Sequence, residues 1–410
     1  MLKNKSVQIG FVAIVSLFFL WALAHNLNPI LIPHLKKACS LNDMQSALVD
    51  ACFYIAYFVM ALPAGILIKR LGYQKTIVFG LLLFALGAFL FYPAASTRSY
   101  VFFLSALFII ASGLTFLETA ANPYVSILGK AETATQRLNF AQSFNGLGAG
   151  LAAFLGGKYI LSGNEINAAS LSGLDSSSVE EILQAEANMV QVPYLIIGSI
   201  VFLVALLFMM LPLPQMETEQ QTNKSTIKHL LGNKNLRQAL LAQFFYVGAQ
   251  VGIGSFFIRY CKQDQLLNEK TAASYLSIAL FLFMSGRFLG SWLMKYIAAN
   301  KLLALYSLIN IVLLMLAIFV AGTTGIYALM ATQFFMSIMF PTIFSNGIKG
   351  LGSDMQYASS LMVMTIVGGA ICPLAMGAIS DASRIEFAFV VPILSFGIIY
   401  IFAKNQLKTS

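Results

Sequence analysis

Apolar runs of about 20 residues, separated by short polar breaks, recur along the whole chain. Each run is long enough to cross the roughly 30 Å hydrocarbon core of a bilayer as an α-helix. The weaker alternating pattern typical of a membrane barrel is absent. The pattern therefore predicts an all-α membrane protein with twelve transmembrane helices. They are predicted at residues 8–35, 45–68, 76–96, 100–128, 138–161, 191–212, 238–260, 271–294, 302–320, 325–348, 357–380 and 386–403.

Composition agrees with this pattern. Hydrophobic residues make up 59% of the chain and charged residues only 10%, whereas a soluble domain carries roughly a quarter charged residues. A water-compatible surface cannot be built from so few charges. A water-soluble globular protein is therefore excluded.

The net charge of +9 is unevenly placed along the chain. With the N-terminus inside, the inner flanks of the helices carry the excess of Lys and Arg, as cytoplasmic flanks do. Examples are Lys3, Lys69, Arg70, Lys130, Arg137, Lys234 and Arg237. We expect a multi-pass protein of the bacterial inner membrane with both termini in the cytoplasm. The charge indicates membrane topology and not nucleic-acid binding.

A long polar segment divides the chain into two related halves. Residues 213–237 form the predicted cytoplasmic linker between a six-helix bundle at 1–212 and another at 238–410. Motifs recur between the halves at an offset of roughly 220 residues, such as Gly65 to Arg70 against Gly290 to Lys295. Two parallel six-helix repeats around a central cavity are a transporter design that holds the solute near the midplane.

Glu118 lies near the middle of the fourth predicted helix. A carboxylate there costs roughly 2.5–3.5 kcal/mol on insertion scales, so it needs a reason. Asn122 follows at i+4 on the same face, and Pro123 interrupts the backbone hydrogen bonds beside it. We interpret this group as part of a cavity wall; the alternative is a structural carboxyl bonded to neighbouring helices.

Other polar residues mark the outer halves of the first two helices. Asp50 enters the second helix with Tyr54 and Tyr57 at i+4 and i+7. The first helix carries His25, Asn26 and Asn28. A partly hydrated structural role for Asp50, and a helix contact for His25, are the alternatives to a functional role.

Two helices present stripes of uncharged amides. They are Asn139, Gln142 and Asn145 on the fifth helix, and Gln243, Tyr246 and Gln250 on the seventh. Amides beside aromatic rings suit sugars, whose hydroxyls need donors and acceptors. Bonds between helices are the alternative. Arg287, near the inner end of the eighth helix, is expected to have a structural or gating role.

Motifs for catalysis are missing from the sequence. It contains no P-loop, no H-E-x-x-H, no G-x-S-x-G and no cysteine or histidine cluster with metal spacing. We therefore expect no enzyme activity, no metal and no cofactor.

Several segments together resemble the fucose permease family of sugar:proton symporters within the major facilitator superfamily. They are residues 26–28 (Asn-Leu-Asn), 62–67, 117–123 (Leu-Glu-Thr-Ala-Ala-Asn-Pro), 137–145, 242–250, 341–345 and 363–369. The resemblance covers essentially the whole chain. It implies the major facilitator fold and a proton-coupled importer of a hexose or deoxyhexose, such as fucose, glucose or galactose. It also implies that Glu118 is the proton-sensitive acid and that Gln142 and Asn145 line the sugar site.

The chain departs from the family at two places. The family pattern has an aspartate directly after Asn-Leu-Asn, where this chain has Pro29, and it requires no acid at Asp50. The superfamily motif G-x-x-x-D-[RK]-x-G spans Gly65, Arg70 and Gly72, with Lys69 at the aspartate position. We expect Asp50, together with His25, to replace the missing first-helix acid.

Four functions remain open from sequence alone: a proton-coupled sugar symporter, a passive sugar uniporter, an exporter of hydrophobic compounds, and a membrane-embedded enzyme acting on lipid-linked sugar. The amide stripes favour sugar over hydrophobic cargo. The expected partners are a small sugar, protons and the lipid bilayer. We expect the chain to act as a monomer.

Overall fold

Helices account for nearly all of the chain that the structure describes. The computed structural model describes residues 5–41, 43–159, 175–211, 213–214, 227–262, 269–320 and 322–409. The first half contains α1 (Lys5–Ala38), α2 (Asp43–Ser96), α3 (Tyr100–Ile127), α4 (Ala134–Tyr159), α5 (Ser176–Asn188) and α6 (Gln191–Met210). No strand occurs within these ranges.

The second half begins beyond the polar linker. It contains α7 (Ile227–Gly232), α8 (Lys234–Lys262), α9 (Glu269–Leu293), α10 (Ala299–Phe319), α11 (Thr323–Met336), α12 (Met339–Ile348), α13 (Met355–Met364), α14 (Gly368–Ala382) and α15 (Val390–Thr409). Short 3-10 turns lie at Ala131–Thr133, Gly352–Asp354, Thr365–Val367 and Ile385–Phe389.

The twelve predicted crossings are present. Ten segments of the described chain are long and apolar enough to span a bilayer. One of them, Leu48–Ser96, has 49 residues and crosses twice, because the chain turns at Gly72. Helix α4 is the remaining crossing. It carries the amide stripe, so its sequence is less apolar than that of most other crossings.

The polar connections differ in detail from the prediction. The seventh crossing begins at Lys234, inside the segment interpreted as linker, because the helix extends past the apolar run that defined it. A short helix at Ser176–Asn188 lies between the fifth and sixth crossings. Residues 160–174 and 215–226 lie outside the described part of the chain.

Close helix packing fixes the position of α3 against α2. A Cβ on Gly80 would lie 2.9 Å from the carbonyl oxygen of Gly113, and one on Gly113 would lie 2.6 Å from that of Gly80. Small residues let helix backbones approach closely in membranes, where packing and not water exclusion holds helices together. These glycines therefore hold the helix that carries Glu118 tightly against α2.

Gly72 turns the chain between the second and third crossings. Its backbone has φ 82° and ψ 172°, a conformation that residues with a side chain rarely adopt. We expect Gly72→Ala to reduce stability by about 1–3 kcal/mol through backbone strain alone, since a Cβ there would contact nothing within 4 Å. Thermal unfolding in detergent measures this.

Gly397→Ala is the matched control for that substitution. Gly397 lies within a helix, and its Cβ would also meet nothing within 4 Å. Alanine should therefore stabilise the helix slightly. Equal shifts of the two midpoints would contradict the role assigned to the Gly72 backbone.

Two crossings of the second half are interrupted, which the apolar pattern did not predict. The tenth breaks between α11 and α12, at Ser337 and Ile338, and the eleventh breaks at Thr365–Val367. Pro341 lacks the amide hydrogen that would bond the Ser337 carbonyl in a regular helix. The break thus leaves a backbone acceptor inside the membrane that needs another donor.

The two halves contact each other on the side where the linker leaves the first half. Tyr124, near the end of α3 on that side, donates to the carbonyl of Pro214 at 3.0 Å. Hydrogen bonds between the halves there include Thr135 to Ser345 (2.9 Å), Gln136 to Ser291 (3.1 Å) and Asn139 to Thr342 (3.2 Å). These bonds hold the two halves together on the linker side.

Candidate functional site

Glu118 lies in the most thoroughly buried part of α3. Every residue from Ile110 to Ser126 is buried, and Glu118 itself is 8% exposed. The hydroxyl of Tyr57, on α2, lies beside its carboxyl group. The Asn122 amide lies beside the same carboxyl, one turn further along the helix. As predicted, the acid and Asn122 share a face, and that face points into the protein.

A chain of amides leads from this acid to α4. Gln142 is 3% exposed, and its Nε2 donates to Oδ1 of Asn122 at 3.0 Å. Asn145 is half-buried on the next turn of the same helix. The third residue of the predicted stripe, Asn139, instead bonds the Thr342 hydroxyl across the halves. The stripe therefore divides between the central network and the closed linker side.

Arg287 brings the second half into the same network. Its Nη1 donates to the Gln142 carbonyl at 2.6 Å and to the Gln142 Oε1 at 3.3 Å. The guanidinium carbon also lies 4.6 Å from the ring centroid of Phe283. Glu118 is close enough to attract this cation electrostatically. Arg287, which is 4% exposed, thus joins the halves at the level of the buried acid.

The broken tenth crossing supplies a further partner for this arginine. The Nε of Arg287 donates to the Ser337 carbonyl at 3.1 Å. That carbonyl is the acceptor left open by Pro341. The helix break and the buried cation therefore satisfy each other.

The amide and tyrosine stripe on α8 has mixed surroundings. The Tyr246 hydroxyl donates to the Met336 carbonyl at 3.1 Å and lies beside the Arg287 guanidinium. Gln243 is fully buried, and within the described part of the chain neither of its amide atoms has a hydrogen-bond partner. Gln250 is half-buried. Gln243 thus has a donor and an acceptor without a partner among the described residues.

Apart from Tyr57, the polar residues predicted on the first two helices have other surroundings. Asn26 donates to the Ala22 carbonyl of its own helix at 2.8 Å. The His25 ring packs against Phe53 with centroids 5.0 Å apart. Asp50 is exposed. The side chain of Asn28 lies outside the described residues.

The inner-loop motif packs against the second half. A Cβ on Gly65 would overlap the Ser360 hydroxyl, so glycine permits the close approach of α2 and α13. Lys69, at the aspartate position of the motif, places its ammonium 5.2 Å from the ring centroid of Tyr357. Arg70 is exposed. At the position where the motif has a negatively charged aspartate, this chain thus has a lysine that makes a cation–π contact with the other half.

Sequence reasoning missed two members of the network. Tyr57 was placed on the face of Asp50, but nothing in the sequence pairs it with Glu118 on another helix. Ser337 contributes a backbone atom, which no side-chain pattern reports. The one available signal was Pro341, which marks Ser337 as the residue whose carbonyl loses its helical partner.

Comparison with known proteins agrees with this architecture. The Major Facilitator Superfamily profile matches residues 10–360. The L-fucose-proton symporter of Escherichia coli (strain K12) is 43% identical over 419 residues, which cover 100% of this chain and 95% of that protein. The glucose/galactose transporter of Brucella abortus biovar 1 (strain 9-941) is 40% identical over 400 residues, with 97% and 94% covered.

Solved structures show the same fold. The crystal structure of a Major Facilitator Superfamily transporter, FucP, in the outward conformation superposes with a TM-score of 0.91 and 42% sequence identity. The match covers 98% of this chain and 99% of that one. The chain belongs to the major facilitator superfamily and, within it, to the fucose permease family of transporters.

Proposed function

We propose that this chain is a secondary active transporter that imports a hexose or deoxyhexose by proton symport through alternating access. The observation that carries the proposal is the buried Glu118 beside Asn122, together with the bonds from Gln142 to Asn122 and from Arg287 of the other half to Gln142. Protonating the acid removes its attraction for Arg287 and so changes the energy of holding the halves together. Proton binding and rocking of the halves are therefore coupled.

Relatives support both the proton and the sugar. One named relative is an L-fucose-proton symporter, and another is a glucose/galactose transporter. The site offers the chemistry that such solutes need, because amides can both donate to and accept from sugar hydroxyls. The buried Gln243 amide, whose atoms have no partner among the described residues, fits this use.

We expect Gln142→Ala and Asn145→Ala to weaken sugar binding without preventing expression. Each substitution removes an amide from the proposed sugar site, and the loss of one or two hydrogen bonds corresponds to roughly 5- to 50-fold in affinity. Binding of labelled sugars to purified protein measures this. Gln74→Ala is the control, since Gln74 donates to the Phe208 and Leu211 carbonyls near the linker. Unchanged sugar binding in both variants would show that the amide stripe serves only contacts between helices.

A passive sugar uniporter is the second candidate. Pro29 stands where the family has an aspartate, so one protonatable group is missing from the first helix. One proton moving through 100 mV and one pH unit supplies about 3.7 kcal/mol, enough for roughly 500-fold accumulation. Uptake of a panel of labelled hexoses by proteoliposomes, with and without a proton gradient, decides between the two. Equal final sugar levels in both conditions would favour the uniporter.

The proposed setting is the bacterial inner membrane with cytoplasmic termini and a monomeric transporter. The distribution of Lys and Arg along the chain supports this orientation. A cysteine placed at Lys408 should react with an impermeant thiol reagent only in inverted vesicles. Labelling in right-side-out vesicles would show the opposite orientation. A particle mass of two chains in nanodiscs would contradict the proposed monomer.

A further inference from the structure

Helix α2 presents three ionisable or hydroxyl side chains along a single face. Asp50, Tyr54 and Tyr57 lie within about 60° of one another around the helix axis at 3.6 residues per turn. Leu48, Ile55, Phe58 and Val59, the exposed apolar residues of this stretch, lie about 80–180° from Asp50 around the axis. Asp50 is thus turned away from most of the residues that face lipid, and Phe58 lies at the border of its face.

This face is directed towards the second half. A Cβ placed on Gly369 would lie 3.0 Å from both the Oη and the Cε1 of Tyr54. Lower on the same helix, Gly65 packs against Ser360. Tyr54 therefore reaches across the space between the halves, below the exposed Asp50.

Burial increases along this line of residues. Asp50 is exposed, Tyr54 is half-buried and Tyr57 is 2% exposed. The Tyr57 hydroxyl in turn lies beside the Glu118 carboxyl. Asp50 and Tyr57 are separated by seven residues, or roughly 10 Å along the helix. The series leads from an accessible acid at the outer end of the helix to the buried acid of the central network.

Packing holds the inner tyrosine in position. The Phe53 and Tyr57 rings stack with centroids 5.4 Å apart at 26°, and His25 packs edge-on against Phe53. Among the described residues, the titratable or charged groups placed near the inner part of the series from other elements are His25 on α1, Glu118 on α3 and Arg287 on α9. His25 supports the ring of Phe53, whereas the Tyr57 hydroxyl lies beside the buried acid.

We infer that Asp50, Tyr54 and Tyr57 form a proton relay that loads Glu118 from the outer side. The inference rests on the proposed symport function and assigns the route of its proton. Tyr57 passes its hydroxyl proton to the Glu118 carboxylate as it accepts one from Tyr54, directly or through a water molecule. Tyr54 is refilled by the carboxylic acid of Asp50, which becomes a carboxylate. One proton thus moves from Asp50 to Glu118, and both hydroxyls are restored.

This route accounts for the acid missing at Pro29. The outer protonatable group is displaced from the first helix to the second, and two tyrosines cover the distance that remains. Hydroxyl groups suit this role because each both donates and accepts a hydrogen bond. Tyr54 and Tyr57 are positioning residues for the proton, and Glu118 remains the acid that couples it to transport.

Tyr54→Phe and Tyr57→Phe test the relay, because each removes one hydroxyl and keeps the ring. We expect proton-driven uptake in proteoliposomes to fall at least tenfold, in line with the usual contribution of a positioned proton-transfer group. Sugar-for-sugar exchange, which needs no net proton movement, should change by less than about twofold in Tyr54→Phe. Asp50→Asn should reduce proton-driven uptake as much as Tyr54→Phe does. The double variant Asp50→Asn with Tyr54→Phe should take up sugar no more slowly than either single variant.

Tyr92→Phe is the matched control, since its side chain is 48% exposed on the same helix and lies outside the series. Wild-type uptake in both tyrosine variants would overturn the relay, and so would an equal loss of uptake and exchange in Tyr54→Phe, which marks a structural role. A wild-type protein without proton-driven uptake in the same vesicles would overturn the symport function itself. If the wild type shows proton-driven uptake and the tyrosine variants show the same uptake, only the relay is overturned.

Discussion

Glu118→Gln should abolish sugar accumulation while leaving sugar exchange partly intact. The amide imitates a protonated carboxyl, so the site can still bind sugar, but it has no proton to release. Without proton release the gradient supplies no energy to the cycle. The accumulation ratio in proteoliposomes should therefore fall from as much as roughly 500-fold to about 1 under a gradient of 100 mV and one pH unit.

Exchange and net uptake must be measured on the same preparation. Glu132→Gln is a suitable control, because Glu132 is an exposed acid on the short turn before α4. Its loss should leave both activities near wild type. Accumulation at the wild-type level in Glu118→Gln would remove this residue from proton coupling and return it to a structural role.

The fold was accessible to sequence reasoning because a bilayer imposes a simple rule. Backbone groups must be satisfied within each span, so twenty apolar residues specify a helix almost regardless of their identity. The crossing helices followed from that rule, whereas the relation between the halves was inferred from motifs that recur along the chain. The break at Ser337 did not, because it depends on a donor from another helix, and apolarity alone does not distinguish a broken span from a continuous one.

The candidate site was accessible only residue by residue. The cost of burying a carboxylate singled out Glu118, and helical spacing placed Asn122 on the same face. Which helices face each other is a tertiary property. The contact of Gln142 with Arg287, which joins residues 145 positions apart, could not be read from one sequence.

For the same reason, the sequence did not predict the contact partner of His25. Spacing within a helix showed that it shares a polar region with Asn26, but not which neighbour its ring would meet. The structure puts that ring on Phe53. The expected partnership of His25 with Asp50 thus stays a prediction, while the contacts of Tyr57 offer a more direct route to the buried acid.

Arg287→Met should destabilise the protein strongly and stop net uptake. Arg287 is the buried cation that satisfies the Ser337 and Gln142 carbonyls and faces Glu118. Removing one partner of a buried charged pair costs about 3–5 kcal/mol, because the remaining charge and acceptors stay buried without compensation. Thermal unfolding in a fixed detergent at a fixed scan rate should show a midpoint well below that of wild type. Arg287→Lys should fall between the two, since an ammonium cannot reproduce the fork of the guanidinium.

The double variant Glu118→Gln with Arg287→Met separates the loss of the attraction between Glu118 and Arg287 from the loss of the other contacts of Arg287. If the acid and the arginine act as a pair, neutralising the acid relieves the penalty that Arg287→Met leaves behind, so the double variant should be more stable than Arg287→Met alone. The coupling energy in this double-mutant cycle should be about 1–3 kcal/mol, the range for residues that share one network. Strictly additive shifts would show that Arg287 stabilises the halves through contacts other than its attraction to Glu118. The electrostatic link between proton binding and the rocking of the halves would then be lost.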